Sequence, residues 1–302
     1  MQFSFIIPTY NYGHMLDRAL DSVFHQPGED YEVVIINDGS TDNTADVVQP
    51  YIAKFAGRCR YIEQENQGVS AARNHGIDES RGDYLILLDA DDELVPDVLP
   101  EIRKKLAENE QVSMLLGGHY ATRDSCEEKL YNLKPLPESK KQCFLDFINK
   151  KIYANNGAAV IKREVFDKIR YQPGLGNSED VVVFSHIFAN YPCISIDIPL
   201  ARMHRHSNSL RTDLNAIDQA GFKVVDYLFD ENKIPAELMV YKGNYYYARS
   251  LSLFRKYYQA KHYQLAAQYY YRALKGKPLR ALQLTYFGKF LRILPKLIFG
   301  KR

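Results

Sequence analysis

The sequence predicts an α/β protein in which a doubly wound, mostly parallel sheet is followed by a helical C-terminal extension. Three features predict it. Short apolar runs at residues 3–7, 33–36, 61–62 and 84–88 alternate with segments of helical character. Each run ends in a polar loop, as strands buried on both faces of a parallel sheet do. After residue 237 the chain has 14 Lys and Arg and no Asp or Glu, and its apolar residues recur at helical spacing.

The elements follow in order. The first strand, 3–7, ends in the loop Pro8-Thr9-Tyr10-Asn11-Tyr12-Gly13. Leu16, Ala19, Leu20, Val23 and Phe24 then recur at i, i+3 and i+4, giving an amphipathic crossover helix. The second strand, 33–36, ends in a polar loop from Asn37 to Thr44, where Ser40 or Thr41 is placed to cap the next helix. A short third strand at 61–62 leads into 66–74, which turns into a helix, and the fourth strand is 84–88. This β-α-β-α-β-α-β order predicts right-handed crossovers. Beyond it come a helix at 96–108, a strand at 112–116 and a strand at 157–161. The polar stretch 119–140, with two prolines, reads as a loop. Glu179-Asp180 opens a helix over 181–189, and short strands around Ile194 and Leu200 end in His204-Arg205-His206. Helices are expected at 213–231, 235–258, 262–275 and from Pro278, with Pro295 kinking or ending the last. The expected division is 1–210 for the α/β domain and 211–302 for the helical region.

Composition narrows the class. With 302 residues, 46% hydrophobic and 25% charged, the chain can build a globular core. Cys59, Cys126, Cys143 and Cys193 form no C-x-x-C pair, which argues against zinc or a disulfide scaffold and suits a reducing compartment. The N-terminal stretch has no basic region and too short an apolar run for a signal peptide. No run reaches the length of a membrane span. The net charge of +2 hides a division, because residues 1–237 carry 25 basic against 37 acidic residues.

The stretch from Gly82 to Glu93 carries the chemistry. Its apolar run stops at Asp89, Asp91 and Asp92, at the strand edge where open α/β sheets bind ligands. Carboxylates this close repel one another unless a cation sits among them. Mg²⁺ or Mn²⁺ suits them, since both prefer carboxylate oxygen and often share it with substrate phosphates. Taken alone, a solvated acidic turn is the better account of the cluster, since Asp-x-Asp is common in loops.

IIPTYN, INDGSTDNT, NQGVSAARNHG and GDYLILLDADD, in that order, resemble the successive blocks of family 2 glycosyltransferases. The match is dense over roughly residues 3–100. The resemblance implies a GT-A fold and a nucleotide-sugar donor held at the strand ends. Carried onto this chain, it implies that Pro8, Thr9, Tyr10, Asn11 and Asp38 line the nucleoside pocket, together with Gly68, Asp89 and Ala90. Asp38 would accept a hydrogen bond from the base, and Tyr10 would offer a stacking face. Arg73 would reach the diphosphate with its planar fork or lie as an ordinary helix-surface arginine. Asp91 would ligate Mn²⁺ or Mg²⁺, with His206 a further candidate ligand. Glu179 would face the acceptor and Asp180 would act as the general base, although both also suit the first turn of a helix. A UDP-sugar is the expected donor, and a glycan or lipid-linked oligosaccharide the expected acceptor. The Gln-x-x-Arg-Trp motif of processive members is absent, which implies single-sugar transfer.

A non-catalytic GT-A-like adaptor is the alternative, and Asp91 and Asp180 speak against it. The basic tail is expected to meet an anionic membrane surface, placing a cytoplasmic protein peripherally on the inner face. Phe287, Phe290, Leu291, Leu294 and Leu297 form the apolar face of the last helix. The tail has no recognised nucleic-acid motif, so nucleic acid is not an expected partner.

Overall fold

In the computed structural model, which describes residues 2–123, 127–131, 135–175, 178–205 and 214–299, strand β1 (Phe3–Thr9) lies between β2 (Tyr31–Asn37) and β4 (Tyr84–Leu87). β3 (Cys59–Glu63) pairs with β2, and all these pairings are parallel. Helices α1 (Gly13–Phe24), α2 (Thr44–Lys54) and α3 (Val69–Glu79) supply the crossovers. β5 (Glu93–Leu94), α4 (Val98–Ala107), β6 (Met114–Arg123), β7 (Glu127–Tyr131), α5 (Lys140–Ile148), β8 (Ala159–Lys162), α6 (Glu179–Asn190) and β9 (Cys193–Arg205) complete the α/β body. The strand order is β3-β2-β1-β4-β8-β6-β9-β5, with β7 on β6.

The sheet is mixed. β8 runs antiparallel to both β4 and β6, and β5 and β7 are also reversed, while β9 is parallel to β6. Alternate residues of the central strands feed two cores, which explains the unbroken apolar runs. Phe3, Phe5, Ile7, Val33, Ile35 and Ile86 pack with Leu16, Leu20, Leu99 and Ile102 from α1 and α4. Val34 and Ile36 face Ala72 of α3 on the opposite side.

Several expectations are corrected. The stretch read as a loop at 119–140 contains the β6–β7 hairpin and, from Lys140, the start of α5. Its polar residues find partners within the sheet: His119 stacks on Tyr131 at 5.0 Å, and Arg202 of β9 pairs with Glu128 of β7. The two strands expected around Ile194 and Leu200 are one strand, β9, whose register against β6 slips between Leu116 and His119. Pro199 falls in that slip, where its missing N–H costs no ladder bond. Neither Ser40 nor Thr41 caps α2: its N-cap, Asn43, makes no side-chain cap bond, and the Thr44 amide is instead accepted at 3.0 Å by Oδ1 of Asp42. Its other oxygen accepts the Gly13 amide at the start of α1, also at 3.0 Å.

The chain forms two compact units, Met1–Ala220 and Gly221–Arg302. Where one helix was expected over 213–231 there are two, α7 (Leu214–Ala220) and α8 (Lys223–Leu228), parted at Gly221 with φ 39°. The second unit continues with a 3-10 segment (Ala236–Tyr241), α9 (Lys242–Gln259), α10 (Tyr263–Gly276), α11 (Pro278–Ala281) and α12 (Leu284–Phe299). Pro295 lies inside α12 and does not end it. The core of this unit is aromatic. Tyr270 stacks on Phe290 at 4.1 Å and Tyr257 on Tyr269 at 5.2 Å. Phe290 and Ile293 therefore point inward, while Leu291 is exposed.

Candidate active site

The C-terminal ends of β1, β2 and β4 open onto one edge of the sheet, and their loops are tied together by side chains. Asn11, in the left-handed region at φ 57°, accepts the Thr41 amide through Oδ1 at 2.8 Å. Its own amide donates to Ser40 Oγ at 2.9 Å. Asp38, 3% exposed, accepts from Gln64 Nε2 and from the amides of Gln67 and Gly68 at 2.7 to 2.9 Å. A carboxylate has about four acceptor positions, so roughly one is left for a ligand. Tyr10 is 46% exposed, whereas Pro8 is buried within β1. The Thr9 hydroxyl, at the end of β1, is buried with no hydrogen-bond partner among the described residues. Gly68 caps α3 at φ 87° and ψ 162°, which only glycine adopts readily.

After β4 the chain turns through Asp89, Asp91 and Asp92, each offering a carboxylate oxygen within 4.8 Å of the others. Asp89 and Asp91 are half-buried, and Asp92 is 4% exposed. Ala90, between them, points into the core. The turn is pinned from three sides. Arg18 of α1 donates to the Asp91 carbonyl, Asp92 Oδ1 accepts the His204 amide at 2.9 Å, and Arg73 grips Asp89. Hard oxygen donors at this spacing, partly open to solvent, fit Mg²⁺ or Mn²⁺. Asp89 and Asp92 each also engage an oxygen elsewhere, with Arg73 and the His204 amide.

Arg73 is 4% exposed, which rules out a helix-surface arginine. One Nη donates to Asp89 at 2.7 Å and the other to Glu179 at 2.6 Å, and the guanidinium lies 5.1 Å from the centre of the Tyr171 ring. The fork expected at the diphosphate thus bridges two carboxylates. Burial opposes its charge, but Asp89 and Glu179 more than compensate and hold its pKa well above the ordinary arginine value. The clamp ties the β4 loop to the first turn of α6, where Glu179 is 8% exposed and Asp180 follows it. Ser178, preceding them at φ 79°, gives the helix no side-chain cap. His206 lies outside the described residues. His204 is within them, and its Nε2 sits 2.9 Å from Glu93 Oε1.

A sequence model described as Glycosyl transferase family 2 matches residues 4–170. The chain belongs to this family. A glycosyltransferase of Streptococcus pneumoniae, GlyA, is 37% identical over 120 residues, covering 40% of this chain and 17% of that one. The GalNAc(5)-diNAcBac-PP-undecaprenol beta-1,3-glucosyltransferase of Campylobacter jejuni is 28% identical over 172 residues, covering 56% of this chain and 54% of the relative. Among solved structures, S. aureus TarS in complex with UDP-GlcNAc superposes with a TM-score of 0.68 at 16% identity, covering 97% of this chain and 80% of that one. The mannosyltransferase PcManGT of Pyrobaculum calidifontis, solved with GDP-Man and Mn²⁺, gives 0.60 at 16% identity, covering 100% and 88%. The fold is therefore that of the GT-A glycosyltransferases.

Two residues of this family 2 chain join the site without having been singled out from the sequence. Tyr12 stands in the first loop, and burial together with the charges of Asp91, Asp89 and Asp92 pushes its hydroxyl up to about 12. Its place directly after IIPTYN, in the loop that runs to Gly13, was the available signal. Tyr171 is fully buried, donates to Asn156 Oδ1 at 2.7 Å, and has its pKa raised by burial against the opposing pull of Arg73. The charges of Asp180, Glu179 and Asp89 add to that rise. No local pattern marks Tyr171, because its role arises from contacts distant in sequence.

Proposed function

We propose that this protein is an inverting, metal-dependent glycosyltransferase that moves one sugar from a UDP-sugar to a hydroxyl of a glycan or lipid-linked acceptor. The observation that carries the reading is the Asp89, Asp91 and Asp92 turn, linked through Arg73 to the α6 turn that bears Asp180. The donor type is that in the TarS complex, and the lipid-linked acceptor is that in the name of the Campylobacter relative.

In this reading Asp91, with Asp89 beside it, holds Mn²⁺ or Mg²⁺, which would offset the negative charge gathering on the departing diphosphate. Tyr10 and Asn11 border the nucleoside, the Thr9 hydroxyl gains a partner, and Asp38 offers its remaining acceptor position. Gly68 lets the backbone approach, with no atom within 4 Å of where a Cβ would stand. Asp180 takes the proton of the acceptor hydroxyl as that oxygen attacks the anomeric carbon from the face opposite the diphosphate. The C1–O bond to the diphosphate breaks, and its electron pair leaves with that oxygen. Arg73 is a positioning residue that fixes the two carboxylate-bearing turns against each other. The unit Met1–Ala220 is the catalytic domain, and the basic helical unit attaches the protein peripherally to the cytoplasmic membrane face.

The test is turnover of a panel of UDP-sugars with and without Mn²⁺, with the anomeric configuration of the product read by NMR. Asp91→Asn is expected to abolish turnover. Asp180→Asn is expected to slow transfer by about 10²–10⁴-fold with donor affinity unchanged. Undiminished turnover in excess chelator, or a product of retained configuration, would refute the reading.

A further inference from the structure

The helical unit holds three leucines in water in the turn between α10 and α12. Leu279 is 87% exposed, Leu282 50% and Leu284 88%. They are not leftovers of an unfinished core. Ala281, in the middle of the same turn, is fully buried, and its carbonyl accepts the Tyr270 hydroxyl at 3.0 Å. Tyr270 is itself buried against Phe290. The turn is therefore anchored through Ala281 while its leucines project outward. Adjacent exposed leucines fixed by the backbone mark an interaction surface rather than scattered surface apolarity.

Charge identifies the partner. Lys275, Lys277 and Arg280 lie in or beside the turn, and no acidic residue occurs anywhere from Leu238 to Arg302. Burial and the nearby Arg280 charge together lower the Lys277 pKa, so the cations crowd one another. A second copy docking through the same turn would bring two wholly basic surfaces together, which is repulsive. An anionic lipid surface supplies both missing complements, acyl chains for the leucines and phosphates for the cations.

We propose that α11 and its flanking turns are a membrane wedge that inserts Leu279, Leu282 and Leu284 into an anionic leaflet while the neighbouring lysines and arginines engage the headgroups. This rests on the peripheral attachment proposed above and assigns it to one contact. It differs from the apolar face expected on the last helix, because Phe290 of that face is turned into the core.

The experiment is cosedimentation of the full-length protein with phosphatidylglycerol–phosphatidylcholine vesicles, with pure phosphatidylcholine vesicles as control. Wild type is expected to bind the anionic vesicles much more strongly than the neutral ones, and to keep part of that binding at about 0.5 M salt, where surface charge is screened. The triple variant Leu279→Ser, Leu282→Ser, Leu284→Ser is expected to lose about tenfold or more in partitioning and all of the salt-resistant part. Lys275→Gln with Arg280→Gln is expected to weaken binding at low salt and leave the salt-resistant part. Full binding by the triple serine variant overturns the wedge but keeps the attachment. Absence of wild-type binding at low salt overturns both. A wild-type dimer in sedimentation velocity that the serine variant dissociates, with vesicle binding unchanged, assigns the leucines to self-association instead.

Discussion

Arg73 brings a full charge into a site where its side chain is 5% exposed, with Glu179 at 11% and Asp89 at 32%. Breaking a buried ion pair costs more than the pair contributes, because the stranded partner remains desolvated. Arg73→Ala strands Glu179, and should therefore cost about 3–5 kcal/mol in urea denaturation. Arg73→Lys keeps the charge but cannot fork to two carboxylates, so it should recover only part of that loss. Asp91 is half-buried beside Asp89, and Asp91→Asn should cost less stability in urea denaturation than Arg73→Ala. Stability and turnover would then separate between residues of one site. Equal stability of Arg73→Ala and wild type would show that the clamp does not hold the two turns. The carboxylates were legible in the sequence because they cluster at a strand end. The clamp was not, since Arg73 and Glu179 lie 106 positions apart.

Elements were legible wherever local pattern and burial agreed. β1, β2, β4 and the crossover helices follow from apolar runs and helical spacing because both faces of the central sheet are covered. The β6–β7 hairpin was illegible for the opposite reason. Its outer residues are polar, and its order comes from cross-strand partners such as His119 with Tyr131 and Arg202 with Glu128. Helix α3 shows two glycine requirements of different kinds. At Gly68 there is room for a Cβ, but φ 87° and ψ 162° are strained for any L-residue, so Gly68→Ala should cost about 1–3 kcal/mol. At Gly76 a Cβ would stand 2.3 Å from Ile6 Cγ2, so Gly76→Ala is expected to overpack the helix against β1. That also costs about 1–3 kcal/mol. The readouts differ. Gly68→Ala should raise amide exchange in the 64–68 loop, whose amides bond Asp38, while Gly76→Ala should raise it along β1. Exchange changes in the reverse locations would sink this assignment. Asp42 adds a pH signature. Burial alone would raise its carboxyl, but the Thr44 hydroxyl and the Gly13 and Thr44 amides together hold it below the usual range. A lowered folded pKa gives stability that is present above about pH 4 and lost as pH falls through the folded value. Asp42→Asn is therefore expected to remove part of the acid sensitivity below about pH 4 in urea titrations. An unchanged acid limb would count against the contribution of these bonds.

At the scale of the whole molecule, the division of charge was visible in the sequence, and the structure resolves two units of different construction. Met1–Ala220 is built on a sheet with an acidic cluster at one strand end, and Gly221–Arg302 is a set of helices around an aromatic core. Among the described residues no helix is long and apolar enough to cross a membrane. The acidic turn governs how the molecule responds to its proposed ligands. A nucleotide that binds only the folded state stabilises it by RT ln(1 + [L]/Kd), about 2.7 kcal/mol at a hundredfold excess over Kd. For a unit of 150–250 residues each kcal/mol raises Tm by about 2–4 °C, so UDP with Mn²⁺ should raise it by about 5–10 °C. Without the cation, the diphosphate would face Asp89, Asp91 and Asp92 unshielded, and like-charge repulsion should leave UDP alone with less than half that shift. Mn²⁺ alone should raise Tm slightly by relieving repulsion among the three carboxylates. Asp91→Asn should abolish the extra shift gained when both are present, while leaving any response to UDP alone. A full shift from UDP in excess chelator would mean that the diphosphate is neutralised by protein cations. The acidic turn would then be a solvated loop, and the metal-dependent reading would fall with it.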